Sequence, residues 1–189
     1  MFEILKHPLR KGSLAGHSAL RVPEGLPTPL HEHAADIEVL GEALREEVRR
    51  LFGGSLKLRH LDVGSCNGCE GELTALLNPF HDVQRFGIDF VASPRHADAL
   101  VVTGPVSRHL AEAFALTDQA TPRPRLIIAV GDCACDGGFC AGSFAVMGGV
   151  SRLMPVDVRI PGCPPRPVSI VEALLAALGQ GHVRAMLKG

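Results

Sequence analysis

Cysteine offers the most distinctive chemistry in this chain of 189 residues, because four of its six cysteines follow probable strands. The apolar runs that precede them are 56–63, 126–130 and 156–160. Thiolates gathered from separate loops bind either a zinc ion or an iron–sulfur cluster. Structural zinc usually takes two C-x-x-C pairs, whereas here one pair is joined by two distant single cysteines, which favours a cluster over zinc. The four candidate ligands are Cys66, Cys69, Cys133 and Cys163.

Two further cysteines leave the third ligand open. Cys133 is preferred because it is nearest the strand end, in a tight Gly-Asp-Cys turn, but Cys135 is its rival and Cys140 lies in the same glycine-rich segment. Six cysteines also allow a disulfide framework. We disfavour disulfides because the N-terminal sequence does not read as a secretory signal, and thiols of cytoplasmic proteins stay reduced.

Two acidic residues begin the helix that is expected after Cys69. For Glu70 the preferred interpretation is stabilisation by the helix dipole, which favours acids in a first turn. Glu72 has a second interpretation, as a residue that lines a proton route or braces a partner subunit.

From residue 56 onward, short apolar runs alternate with helical patterns. This alternation predicts an α/β fold with an open, flavodoxin-like parallel sheet and helices on both faces. In such sheets ligands bind beyond the carboxyl ends of the strands, which is where the cysteine loops fall. The predicted strands are 56–63, 86–91, 99–103, 126–130 and 156–160, and the predicted helices are 36–52, 70–77, 106–119 and 168–178.

The composition fits one globular domain with an extension. The chain is 46% hydrophobic, enough for a sizeable core, and its net charge of −1 gives no support for nucleic-acid binding. No run approaches the roughly 18 apolar residues of a membrane span, and we expect a cytoplasmic chain. Residues 1–35 are proline-rich without core periodicity and are predicted to form an extended arm, with 36–189 as a single α/β iron–sulfur domain.

With these motifs in place, residues 56–178 resemble a known family. The chain is similar to the small subunits of membrane-bound, energy-converting nickel–iron hydrogenases of the formate hydrogenlyase type, and to their relative, the 20-kilodalton subunit of respiratory complex I. Its C-x-x-C pair is typical of the hydrogenase branch, since complex I subunits carry adjacent cysteines. The matching segments are Cys66-Asn67-Gly68-Cys69, Arg85-Phe86-Gly87, Ser93-Pro94-Arg95-His96-Ala97-Asp98, Thr103-Gly104-Pro105-Val106, Gly131-Asp132-Cys133-Ala134 and Pro161-Gly162-Cys163-Pro164-Pro165-Arg166-Pro167.

The resemblance implies one 4Fe-4S cluster held by Cys66, Cys69, Cys133 and Cys163, with Glu72 on an acidic position of the family. It implies an electron-transfer subunit of an oxidoreductase, not the carrier of the catalytic metal. Expected partners are a nickel–iron large subunit, a ferredoxin-like iron–sulfur subunit and membrane subunits that hold the chain on the inner membrane. The alternatives are a subunit of a complex I-like quinone oxidoreductase, with a quinone-binding homologue as the large subunit, and a zinc-stabilised assembly adaptor.

Overall fold

The computed structural model describes residues 30–179, with side chains described from residue 37 onward. Within this range the chain forms seven strands and five α-helices. The strands are β1 (Leu56–Asp62), β2 (Ile88–Phe90), β3 (Ala99–Thr103), β4 (Val106–Ser107), β5 (Leu126–Val130), β6 (Val146–Gly148) and β7 (Val158–Ile160). The helices are α1 (Leu30–Phe52), α2 (Gly68–Ala75), α3 (Ala111–Ala120), α4 (Asp132–Asp136) and α5 (Pro167–Gly179).

Five of the strands form one parallel sheet, in the order β2-β1-β3-β5-β7. Counted along these five strands alone, that is the 2-1-3-4-5 order of flavodoxin-like folds. The central strands β3 and β5 are buried throughout, as expected for strands covered on both faces. The predicted open parallel sheet is therefore confirmed.

The two faces of the sheet carry separate apolar clusters, because successive side chains of a strand point to opposite faces. On β3, Ala99 and Val101 pack with α1, α2 and α5, whereas Leu100 and Val102 pack with α3 and α4. Helices therefore cover both faces, as predicted. No helix within residues 30–179 is long and apolar enough to cross a membrane.

Helix α1 begins at Leu30, six residues before the predicted start at residue 36. It follows Pro29 directly, and neither proline nor glycine interrupts residues 30–36, so nothing local opposes the earlier start. The predicted extended arm falls mainly on residues 1–29, which lie outside the described residues.

The predicted helix 106–119 is wrong in its first part. Val106 and Ser107 form strand β4, which pairs antiparallel with β6, and Ser107 N–H donates to Val63 O at 2.8 Å. The helix begins only at Ala111. Long-range pairing with a strand about forty residues later therefore replaces the first helical turn that the local apolar spacing predicted.

Candidate functional site

The first cysteine loop is shaped by Asp62 at the end of β1. Asp62 Oδ1 accepts hydrogen bonds from the N–H groups of Gly64 at 2.7 Å and Ser65 at 2.8 Å, which turns the chain sharply out of the sheet. Helix α2 then begins at once, with exposed Cys66 before it and buried Cys69 in its first turn.

The second cysteine loop lies against the first. Gly131 links β5 to α4 with a φ of 88°, and a Cβ at this position would stand 2.5 Å from Cys69 Sγ. Only glycine fits at residue 131, because any other residue would strain the backbone at this positive φ and its Cβ would collide with the sulfur of Cys69. Residue 131 and Cys69 are therefore immediate neighbours, although they are far apart in the sequence.

The third cysteine loop is tied to the second by a pair of hydrogen bonds. Gly162 N–H donates to Asp132 Oδ1 at 2.8 Å, and Asp132 N–H donates to Gly162 O at 2.9 Å. Cys163 follows directly and is exposed. A Cβ on Gly68 would lie 3.8 Å from Pro164 Cβ, so the third loop also faces the first. The loops after β1, β5 and β7 thus converge at one edge of the sheet.

The pKa values of two of the predicted ligands, Cys69 and Cys133, are raised in part by the charges of the other predicted ligands. Burial, together with negative charge on Glu70, Cys66, Cys133 and Cys163, raises the pKa of Cys69 to about 12. Burial likewise raises the pKa of Cys133, with contributions from Cys163, Cys140 and Cys66. Thiolates crowded in this way need a compensating positive charge, which bound metal ions supply.

The donor set, four free thiols on three loops, is one that an iron–sulfur cluster can take. Within residues 30–179, no group of three or more Cys, His, Asp or Glu side chains is arranged around a single ion position. A cubane cluster binds one thiolate at each of its four irons, so its ligands do not converge on one point. Four free thiols on three converging loops, with glycine at residue 131 where a Cβ would meet Cys69 Sγ, match that requirement.

The two remaining cysteines have different surroundings. Cys135 is buried with Ala134 in the apolar cluster beneath α3 and α4, and its thiol donates to Ala129 O at 3.7 Å. This contact directs Cys135 into the core, which favours Cys133 as the predicted ligand of this loop. Cys140 is half-buried in a 3₁₀ turn, Gly138–Cys140, and is close enough to Cys133 to influence its pKa.

Glu72 lies half-buried on α2, and its role stays a prediction. Its neighbour Glu70 has a more extensive role than the helix dipole suggested. Glu70 Oε2 accepts from Ser65 Oγ at 2.5 Å, and Oε1 accepts from Thr103 Oγ1. The one local signal for this role is Thr103, a hydroxyl residue that ends an otherwise wholly apolar strand; its pairing with Glu70 depends on the packing of α2 over the sheet.

Comparison with known proteins matches residues 66–177 to the family described as NADH ubiquinone oxidoreductase, 20 Kd subunit. The probable membrane-bound hydrogenase subunit mbhJ of Pyrococcus furiosus is 42% identical over 140 residues, which cover 74% of this chain and 83% of that protein. Formate hydrogenlyase subunit 7 of Escherichia coli is 38% identical over 84% of this chain, which spans 60% of that protein's length.

A solved structure extends the same pattern. A chain in the structure of the membrane-bound sulfane sulfur reductase, an archaeal respiratory membrane complex, superimposes on this chain with a TM-score of 0.56 at 30% identity. The superposition covers 78% of this chain and 76% of that chain. The similarity therefore extends over most of both chains.

The family match and these relatives define the chain as a component of an oxidoreductase complex. The chain belongs to the family of the 20-kilodalton subunit of NADH ubiquinone oxidoreductase, and the predicted family relationship is confirmed.

Proposed function

We propose that this chain is an electron-transfer subunit that carries one 4Fe-4S cluster on Cys66, Cys69, Cys133 and Cys163. The observation that carries the proposal is the convergence of three loops, through Gly131 against Cys69 and through Asp132 against Gly162, at the carboxyl edge of the sheet. When bound, the cluster supplies one-electron redox chemistry. The chain supplies the thiolates and the hydrogen-bonded loops that hold them.

The position of the ligands supports transfer to a partner. Cys66 and Cys163 are exposed, so the site lies at the surface and not in the middle of the sheet. The segment that follows Cys133 carries Phe139, Phe144 and Met147, whose exposed fractions are 81%, 89% and 41%. Exposed apolar side chains that occur together in one segment mark interaction surfaces, where aromatic residues and Met are enriched. We infer that a large catalytic subunit covers this edge.

The names of the relatives support a role that several reactions share. They belong to a hydrogenase, a formate hydrogenlyase and a sulfane sulfur reductase, and the family is named after an NADH ubiquinone oxidoreductase. A component common to such different reactions fits electron transfer next to a partner that performs the chemistry. We favour a nickel–iron hydrogenase as that partner, because the C-x-x-C pair at Cys66 and Cys69 is typical of the hydrogenase branch.

The remaining partners follow from the same assignment. We infer a ferredoxin-like iron–sulfur subunit that exchanges electrons with this one, and membrane subunits that hold the complex at the cytoplasmic side of the inner membrane. The alternative, a complex I-like quinone oxidoreductase, keeps the same role for this chain and changes only the large subunit. A zinc-stabilised adaptor is the third candidate and would carry no electrons.

Replacement of single cysteines tests the ligand assignment. In the complex purified anaerobically, Cys163→Ser should lose the cluster or convert it, because a hydroxyl binds iron poorly. The matched variant Cys140→Ser should keep the wild-type iron content. Iron and zinc content and the electron paramagnetic resonance (EPR) spectrum of the reduced protein are the measurements. Equal iron loss in both variants would contradict the ligand set, and zinc without iron in the wild type would favour the adaptor.

A further inference from the structure

A cavity of about 690 Å³ opens at the amino ends of the central strands, on the edge of the sheet opposite to the cysteine loops. It is lined by the end of α1, the start of β1 and the segments that precede β3 and β5, and we call it the amino-edge cavity. Strands β3 and β5 are five residues long, and a strand rises about 3.3 Å per residue, so the strands separate this cavity from the cysteine loops by about 16 Å. The proposed cluster makes no use of this edge.

Basic side chains dominate the charge of the amino-edge cavity. Lys57, Arg95 and Arg123 line it, and all three are exposed. His96 is a further exposed nitrogen base at the same place, and Asp98 is the only acid among the described residues of the lining. The cavity therefore has an excess of positive charge in a chain whose formal net charge is −1.

This positive charge is not neutralised within the described part of the chain. None of the three cations forms an ion pair with an acid of residues 37–179, whereas Arg125, two residues after Arg123, is 9% exposed and pairs with Asp118. The carboxylate of Asp98 is engaged elsewhere, because its Oδ2 accepts from Lys57 N–H at 2.8 Å. The cations of the cavity are therefore free to bind an anionic group.

The amino-edge cavity also contains a sequence motif that the cysteine site does not use. The segment Ser93-Pro94-Arg95-His96-Ala97-Asp98 is one of those that carry the family resemblance, and four of its residues, 95–98, line the cavity. Ser93 caps the 3₁₀ turn Pro94–His96 by accepting from Arg95 N–H at 3.4 Å. The turn holds two basic side chains at the entrance of the cavity.

The surroundings of the cavity indicate which kind of anion it binds. Small-molecule sites enclose most of their ligand between apolar walls, whereas the basic side chains of this cavity are all exposed. Membrane-surface sites combine basic with inserted apolar residues, but the exposed large apolar side chains of the described residues, such as Val39 and Phe144, line no part of it. An open, basic and weakly apolar surface on a subunit of a complex fits an acidic protein partner.

We propose that the amino-edge cavity is a docking site for an acidic segment of another subunit of the oxidoreductase complex. Arg95 and Arg123 bind carboxylates of that segment, because the forked guanidinium group matches the two carboxylate oxygens, and Lys57 adds a third positive charge. A segment bound here lies about the length of a strand from the cysteine loops, so it contributes to assembly and supplies neither electrons nor ligands. The inference does not depend on the proposed cluster.

Site-specific crosslinking in the whole complex tests this proposal. Gly54 lines the cavity, and a Cβ at this position meets nothing within 4 Å, so it can be replaced by the photoreactive residue p-benzoylphenylalanine. The complex is purified anaerobically and irradiated, and mass spectrometry identifies the crosslinked peptide. We expect a peptide of another subunit in which Asp and Glu outnumber Lys and Arg.

Charge variants show whether the crosslink depends on the basic residues. Combined Arg95→Glu and Arg123→Glu should lower its yield at least tenfold, and Arg123→Gln, which removes one charge without reversing it, should lower it less. The control Arg45→Glu makes the same charge reversal at an exposed arginine of α1 outside the cavity and should leave the yield unchanged. Urea unfolding midpoints near that of the wild type confirm that the variants are folded.

Each of four results would overturn the inference: a crosslink to lipid, a crosslink to a segment without an excess of acids, no crosslinked protein, or an equal yield in the wild type and the folded charge variants. Iron content is measured on the same samples. A complex without iron that still gives the acidic crosslink would reject the proposed function and support this docking site.

Discussion

Two aspartates, and not only the cysteines, determine the geometry of the site at the level of single residues. Asp62 closes the turn that presents Cys66, and Asp132 joins the loops of Cys133 and Cys163. A carboxylate that accepts from backbone N–H groups makes stronger hydrogen bonds than a neutral acceptor does. These side chains fix the loops that carry the predicted ligands.

Asp132→Ala should destabilise both the fold and the proposed cluster site. The change leaves Gly162 N–H without its acceptor, at a cost of about 1–3 kcal/mol for an unsatisfied group. Asp132→Asn keeps an oxygen at the same place and should cost less, about 1 kcal/mol. Urea unfolding and iron per chain after purification measure the two effects. An alanine variant as stable as the wild type would show that the hydrogen bonds of Asp132 contribute nothing to the free energy of unfolding.

The elements that can be predicted best from the sequence are those whose hydrophobic pattern reflects only which residues are buried. The wholly apolar run of β5 predicts a buried strand, and the apolar stripe of α1 predicts a helix with one buried face. The parallel direction of the sheet strands follows from the alternation of strands with helices. Strands β4 and β6 and the short helix α4 are not predictable in this way, because they are two, three and five residues long and form through contacts distant in sequence. The pairing of Glu70 with Thr103 is hidden for the same reason.

Helix α1 provides a test of packing at the level of elements. A Cβ on Gly41 would stand 2.2 Å from the ring of Phe86, so the helix approaches the 3₁₀ turn Val83–Phe86 too closely for any side chain. Gly41→Ala should therefore destabilise the protein by about 1–3 kcal/mol, as overpacking does. The matched variant Gly71→Ala on α2 meets nothing within 4 Å and should stabilise slightly, since alanine is the better helix former.

Unfolding midpoints in urea, followed by circular dichroism, distinguish these two glycines. A Gly41→Ala variant that is more stable than the wild type would mean that α1 can shift away from Phe86 at little cost. In that case α1 would pack less tightly against the sheet than the burial of its apolar residues indicates.

The distribution of apolar surface is the main feature of the molecule as a whole. Phe139 and Phe144 are among the most exposed large apolar side chains of the described residues, and they belong to the segment that follows Cys133. Val39 on α1 and Leu116 on α3 are also exposed, but they stand on helices that carry no ligand. Two aromatic residues near the cysteine loops are the better candidates for binding energy, because aromatic anchors dominate interfaces.

The double variant Phe139→Ser with Phe144→Ser should weaken the complex with the large subunit at least tenfold, corresponding to about 1.4 kcal/mol or more. Iron content under anaerobic conditions should stay near that of the wild type, because neither residue is a proposed ligand. The control Leu116→Ser should bind as the wild type does. Affinity purification through a tag on this chain measures the partner that is retained. Unchanged retention in the double variant would place the interface elsewhere.

The distance in sequence between the cysteine loops has a consequence for how the protein matures. Cys69 and residue 131 are neighbours only after β1, β3 and β5 have paired, and Cys163 joins them only after β7 has docked. A nascent chain has no local segment in which more than two of the four thiols are close, so it offers no template for cofactor assembly. The high contact order of the parallel sheet makes its folding a slow step. Under the proposed function, the cluster is therefore inserted after the sheet has closed and before the proposed large subunit covers its edge.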